Sequence, residues 1–197
     1  MNEQTRDIET FEHYFRDHEE EIFQDYVTFL KFKSISTDKA FRGEVRSCAE
    51  WLMERIQEIG FETDLWETSG CPTVFAQNLN AGPDKPTLLI YNHYDVQPVD
   101  PLELWNTPPF EPTMVDGNVY ARGAQDNKGQ CMYVFQALKA LINTKKALPI
   151  NIKWIIEGEE ECGSEGLARI LPKKKKQLTS DYLVIADVGI ASMDKPS

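Results

Sequence analysis

The stretch Thr87-Leu88-Leu89-Ile90-Tyr91-Asn92-His93-Tyr94-Asp95 constrains this chain more than any other. It starts as a short apolar run and ends in His-x-Asp. Such a run fits a strand buried on both faces, although periodicity alone does not separate it from a buried helical segment. As a strand it sets His93 and Asp95 on one side, because side chains alternate along an extended chain. In open α/β sheets ligands gather beyond the carboxyl ends of the strands, where these two side chains would emerge. One could then bind a metal while the other orients it or tunes its basicity. By itself, His-x-Asp more often marks a polar loop after a core strand.

The rest of the chain mixes helical and extended patterns, which makes the fold class α/β. From Ile8 to about Lys31, apolar residues recur at helical spacing and predict one long helix or two short ones. His13 and His18 within it read as surface histidines. A second helix runs from about Val45 to Ile59 and ends at Gly60. Phe61–Glu67 and Thr73–Asn78 read as strands. After Asp95, the segment Val96 to Pro112 carries five prolines and Trp105, and reads as an ordered loop walling a site. Val115 to Ala121 holds a turn and a short strand, and an apolar helix follows through Met132, Val134, Phe135, Leu138 and Leu141. Leu148–Ile156 is a second core strand, Glu165–Leu171 a short helix, and Asp181–Ala186 the last strand. The four lysines Lys173 to Lys176 read as a solvated helix end or loop.

The 197 residues suffice for one sizeable domain. A formal net charge of −11 disfavours nucleic acid or an anionic membrane as the main partner. The amino terminus has no apolar signal core, and no run approaches the length of a membrane span. Cys48, Cys71, Cys131 and Cys162 show no paired spacing, so reduced thiols are expected, with Cys131 packed in a helix and the cytoplasm as the compartment.

Three segments with strand character end in acids or histidine: His93 and Asp95, Glu160 and Glu161, and Asp187. A fourth acid, Asp126, sits where a loop enters a helix, and the helix dipole favours its charge there. Carboxylates gathered in this way would repel one another unless a cation lay among them. Imidazole with carboxylates suits zinc, accommodates manganese or cobalt, and disfavours calcium. Glu160 and Glu161 are neighbours, so for both to reach one site the backbone must turn, which Gly163 permits. One could then hold metal while the other acts as general base. In isolation, the run Glu159–Glu161 more often is a solvated loop.

Taken together, Asn92 to Pro98, Tyr120 to Gly129 and Glu157 to Ser164 strongly resemble the M20 metallopeptidase family. That family includes carnosinase-like dipeptidases, acetylornithine deacetylase and succinyl-diaminopimelate desuccinylase. The resemblance runs from about Asp25 to Gly189, and the loop with Trp105 and Pro108-Pro109-Phe110 is most similar to the dipeptidase branch. It implies a three-layer α/β/α fold of zinc-peptidase type with a mostly parallel central sheet. It also implies two metal ions, with zinc foremost and Mn2+ or Co2+ as alternatives. On this likeness His93 binds one metal, Asp126 bridges two, Glu161 binds the second and Asp187 completes the first. Asp95 orients His93, Glu160 is the general base, and a cis peptide follows Asp126. The implied reaction is hydrolysis of an amide bond in a small peptide or N-acyl amino acid by a metal-activated water.

The chain also departs from that pattern. It has no histidine after His93, whereas the family supplies one near its carboxyl terminus and another from a lid and dimerisation domain. Residues 1–197 are therefore read as the amino-terminal part of a catalytic domain that stops before the lid, with a homodimer expected of a longer parent. Weak metal binding is expected, since Asp126 and Glu161 alone would hold the second ion. An open sheet edge is expected as well. Two further readings are carried: a metal-binding module of the same fold without turnover, and a thiol hydrolase using Cys162 with His93 as its base.

Overall fold

The computed structural model describes residues 3–189 and Ser192, with β3 (Thr87–His93) and β6 (Asn151–Glu157) at the centre of a five-stranded sheet. All of β6 is buried, as a strand covered on both faces requires. Adding β1 (Glu62–Trp66), β2 (Thr73–Asn78) and β7 (Tyr182–Ile185) gives the order β1-β2-β6-β3-β7. Strand β2 is antiparallel to both neighbours, while β6, β3 and β7 run parallel. Only β2 is reversed, so the sheet is mostly parallel. The parallel register sets His93 opposite Glu157 at the carboxyl end of the two central strands.

Among the described residues the helices are α1 (Glu3–Asp17), α2 (Glu19–Lys31), α3 (Arg42–Glu58), α4 (Lys128–Lys145) and α5 (Glu165–Lys174), with α1 packed on α2 and α4. On one face, Phe29 of α2, Leu52 and Ile56 of α3 and Phe135 and Leu138 of α4 pack on Val74, Ile90 and Trp154 of the sheet. The opposite face carries a smaller core, in which Leu167 of α5 meets Trp66, Phe75, Leu89 and Ile155. Two helical layers enclosing one sheet are the three-layer arrangement that the resemblance implied.

Of the two arrangements expected for the first helical stretch, two helices form and meet at His18, whose Nδ1 lies 2.8 Å from the Tyr14 carbonyl and whose ring stacks on Tyr14. Helix α3 starts earlier than its apolar spacing indicates, after a 3-10 turn capped by the Asp38 side chain (Ala40 N–H to Oδ1, 2.9 Å). Between β3 and α4, a hairpin of β4 (Thr113–Val115) and β5 (Asn118–Tyr120) replaces the single short strand expected there. Helix α5 continues past Leu171 through Pro172. Proline there forfeits one helical hydrogen bond, to the carbonyl of Ala168, an exposed residue. Strand β7 pairs only with β3 among the described residues, and all four of its side chains are exposed, which is the open edge expected from the sequence.

Candidate metal centre

His93 ends β3 with its side chain 1 % exposed. From Nε2, Asp126 Oδ1 is 3.1 Å away, Asp187 Oδ2 3.6 Å and Glu160 Oε2 3.9 Å. Asp126 comes from the loop before α4, Asp187 from just after β7, and Glu160 from a 3-10 turn after β6. Four chain segments thus converge beyond the carboxyl ends of the parallel strands, where such sheets collect ligands.

Asp95 holds the arrangement from behind. It is fully buried, and its Oδ1 lies 3.3 Å from His93 Nδ1. The backbone N–H groups of Glu160 and Glu161 donate to its Oδ1 and Oδ2, each at 3.1 Å, and the Ser36 hydroxyl donates to Oδ2 at 2.5 Å. One carboxylate therefore fixes both the imidazole and the turn bearing the two glutamates. That turn closes at Gly163, whose φ of +98° is costly for any residue with a Cβ. The peptide Asp126–Asn127 is cis, as the family likeness implied.

Burial by itself depresses the His93 imidazole, but Asp95 and then Asp187 and Glu160 outweigh it and push the group up to about 9. The carboxylates thus give the site a negative potential that favours a cation. Burial pushes the Glu160 carboxyl upward, with Glu161, Asp187 and Asp95 adding to the rise and His93 opposing it. The Glu161 carboxyl is raised too, first by burial and then by Asp126, while the Gln97 amide that donates to its Oε2 at 2.7 Å pulls the other way.

The donor set fits a divalent cation. Ligand atoms of a tetrahedral zinc with bonds of about 2.1 Å lie about 3.4 Å apart. The 3.1 and 3.6 Å separations from His93 Nε2 straddle that spacing. His93, Asp126 and Asp187 each present a ligand atom within 4.8 Å of the others. Of the ligands expected from the sequence, Glu161 lies outside this triad, turned toward Gln97. His13 and His18 belong to the far end of α1, and His18 bonds to Tyr14 there. The Cys162 thiol is pushed upward, chiefly by burial and against the pull of Ser36, and donates to the Glu159 carbonyl at 3.4 Å, so its nucleophilic thiolate form is disfavoured.

Sequence reasoning missed several polar residues beneath the site. Glu159, taken as solvated, is buried: its Oε2 accepts the Cys71 N–H at 2.7 Å and its Oε1 accepts the Gly166 N–H. Lys128 is buried as well, donating to the carbonyls of Phe29 (3.0 Å) and Phe32 (2.7 Å) and so tying the start of α4 to the end of α2. The amides of Asn92, Asn127 and Gln130 are buried too. A polar residue inside an otherwise apolar strand, such as Asn92, was the available signal.

Glu157 gives a testable pH effect. Its Oε1 accepts from Tyr91 and from Ser164 (3.0 Å), while its Oε2 is buried without a partner. Burial raises its carboxyl above the ordinary range, and the two hydroxyls only partly oppose this. A carboxyl raised on folding stabilises fully below its unfolded pKa, and that contribution is lost as pH rises through the folded value. In urea unfolding between about pH 4 and about pH 8, Glu157→Gln is therefore expected to gain on the unaltered chain as pH rises. Parallel profiles would contradict this assignment.

Comparison with known proteins agrees with the geometry. The sequence profile described as "Peptidase family M20/M25/M40" matches residues 89–195, more than half of the chain. The chain belongs to this family. It is 43 % identical to human beta-Ala-His dipeptidase over 128 residues, covering 64 % of this chain and 25 % of that protein. The crystal structure of human carnosine dipeptidase 1 superposes with a TM-score of 0.85 at 33 % identity, over 91 % of this chain and 41 % of that one. An M20 family metallo-carboxypeptidase from Sulfolobus solfataricus gives a TM-score of 0.79 at 40 % identity, over 86 % and 38 %. The chain thus spans about a quarter to two fifths of the length of these relatives. No helix among the described residues is long and apolar enough to cross a membrane.

Proposed function

We propose that this chain is the metal-binding catalytic portion of an M20 hydrolase that cleaves the amide bond of a dipeptide or N-acyl amino acid. The observation that carries the reading is the convergence of His93, Asp126 and Asp187 around one point, with Glu160 beside them. His93 and Asp187 would hold one ion, and Asp126 would bridge it to a second shared with Glu161. The influence of Asp126 on the Glu161 carboxyl supports that pairing. Zinc suits this donor set best, with Mn2+ or Co2+ able to replace it. When bound, the metal supplies Lewis acidity that lowers the pKa of a water and polarises the substrate carbonyl.

The chain's own residues do the rest. Asp95 holds the His93 ring by Nδ1, which leaves Nε2 facing the acids. Glu160 takes the proton of the attacking water at its carboxylate and returns it to the leaving amine nitrogen. Its raised pKa suits both halves of that exchange. Gln97 keeps Glu161 oriented across the mouth of the site.

A second reading, metal binding without turnover, has one observation in its favour: the triad draws on a single histidine. Calorimetric zinc titration of the full chain, paired with hydrolysis of β-Ala-His, separates the two. Binding with turnover supports the first reading and binding alone the second. Neither binding nor turnover would sink both.

A further inference from the structure

Beneath the metal-facing side chains, four buried polar groups form a directed chain. The Trp154 indole N–H donates to Asn92 Oδ1 at 3.0 Å. Asn92 Nδ2 donates to Asn127 Oδ1 at 2.7 Å and to the Ala186 carbonyl at 2.8 Å. Asn127 Oδ1 also accepts the backbone N–H of His93 at 3.2 Å. Asn127 Nδ2 in turn faces Gln130 Oε1 (2.6 Å), the Ala186 carbonyl (2.8 Å) and Asp187 Oδ1 (2.9 Å). Gln130 completes the set by donating to the Val188 carbonyl.

The direction of this chain is forced. An indole N–H only donates, so Asn92 must turn its oxygen to Trp154 and its amino group to Asn127. The His93 N–H likewise only donates, so Asn127 must present oxygen on that side and N–H groups toward Asp187. Flipping either amide would set donor against donor in a layer where Trp154, Asn92 and Asn127 are all fully buried. Asp187 Oδ1 is thereby occupied, while Oδ2 lies 3.6 Å from His93 Nε2.

We propose that Asn127 is a positioning residue for the metal centre. Its side-chain amide, oriented by Trp154 through Asn92, holds β3, the start of α4 and the end of β7 in the register that sets His93, Asp126 and Asp187 around one ion. It also leaves Asp187 Oδ2 as the free ligand atom. The proposal rests on the reading of the triad as a metal centre and deepens it.

The test uses the full chain, its Asn127→Asp and Asn127→Ala variants, and Trp154→Phe, which removes the donor that starts the chain. Zinc affinity is read by competition with a chromophoric chelator, ligand geometry by the visible spectrum of bound Co2+, and stability by the unfolding midpoint with and without zinc. Both Asn127 variants are expected to bind zinc about tenfold to hundredfold more weakly, the range found when a residue supporting a ligand is lost. Their zinc-induced rise in midpoint should shrink, and the cobalt spectrum should change, with Trp154→Phe shifted the same way. A lower metal-free midpoint with an intact zinc-induced rise would make Asn127 merely structural and overturn the proposal. So would unchanged zinc affinity in both Asn127 variants. Failure of the unaltered chain to bind zinc is a separate outcome, which overturns the metal centre itself.

Discussion

Glu160→Gln is expected to lower the turnover of a dipeptide substrate by about a hundredfold to ten-thousandfold, the contribution of a positioned general base. Zinc affinity should stay within about threefold of the unaltered chain, because Glu160 stands outside the ligand triad. Its Oε2 is 3.9 Å from His93 Nε2, too far for a hydrogen bond but beside the same point. Its backbone is pinned by Asp95, so an amide of the same shape should leave the turn in place. The side chain is 38 % exposed, which leaves room for water and substrate next to it. Burial and the neighbouring carboxylates raise the Glu160 carboxyl in the metal-free chain, with His93 opposing them. Steady-state kinetics alongside zinc titration decides the assignment: an equal collapse of affinity and rate would make Glu160 a ligand instead.

Asp126→Asn should act in the opposite way, with its main effect on metal. Structural zinc contributes an apparent binding free energy of about 10–16 kcal/mol. Spread over the three triad ligands, that is about 3–5 kcal/mol for each, so losing one should weaken binding by at least about a hundredfold. The metal-free protein should tolerate the change, since Asp126 is the most exposed member of the triad and its charge repels that of Glu161. His93→Ala should weaken zinc binding by a similar factor but lower the metal-free stability, because the protonated ring is the one positive group among four carboxylates. Calorimetry and thermal unfolding of both variants, each with and without zinc, would test this contrast. Equal metal-free stabilities would argue against the electrostatic account.

Much of the candidate site was legible before any coordinates. The end of β3 was recognisable from its apolar run closing in His93 and Asp95. Asp126 stood out as an acid where a loop enters a helix, and Gly163 as the residue that lets the chain turn after Glu160 and Glu161. These features depend on alternation, helical spacing and backbone freedom within a few residues. Less legible were the long-range partners. Glu159 looked like part of a solvated run, yet it is buried against Cys71 and Gly166. Asn127 seemed no more than the neighbour of Asp126, yet its amide touches three elements far apart in sequence.

From sequence alone, then, came the α/β class, the strands Thr73–Asn78 and Thr87–His93, the helix after Asp126 and the acids around His93. All of these follow from local periodicity and chemistry. Tertiary structure alone decided that β6 slips between β2 and β3, that Glu161 turns to Gln97, and that a chain of amides runs from Trp154 to Asp187. Those outcomes depend on which distant segments share one buried layer. There each polar group must find a partner across the fold, and the spacing of residues along the chain carries no record of that choice.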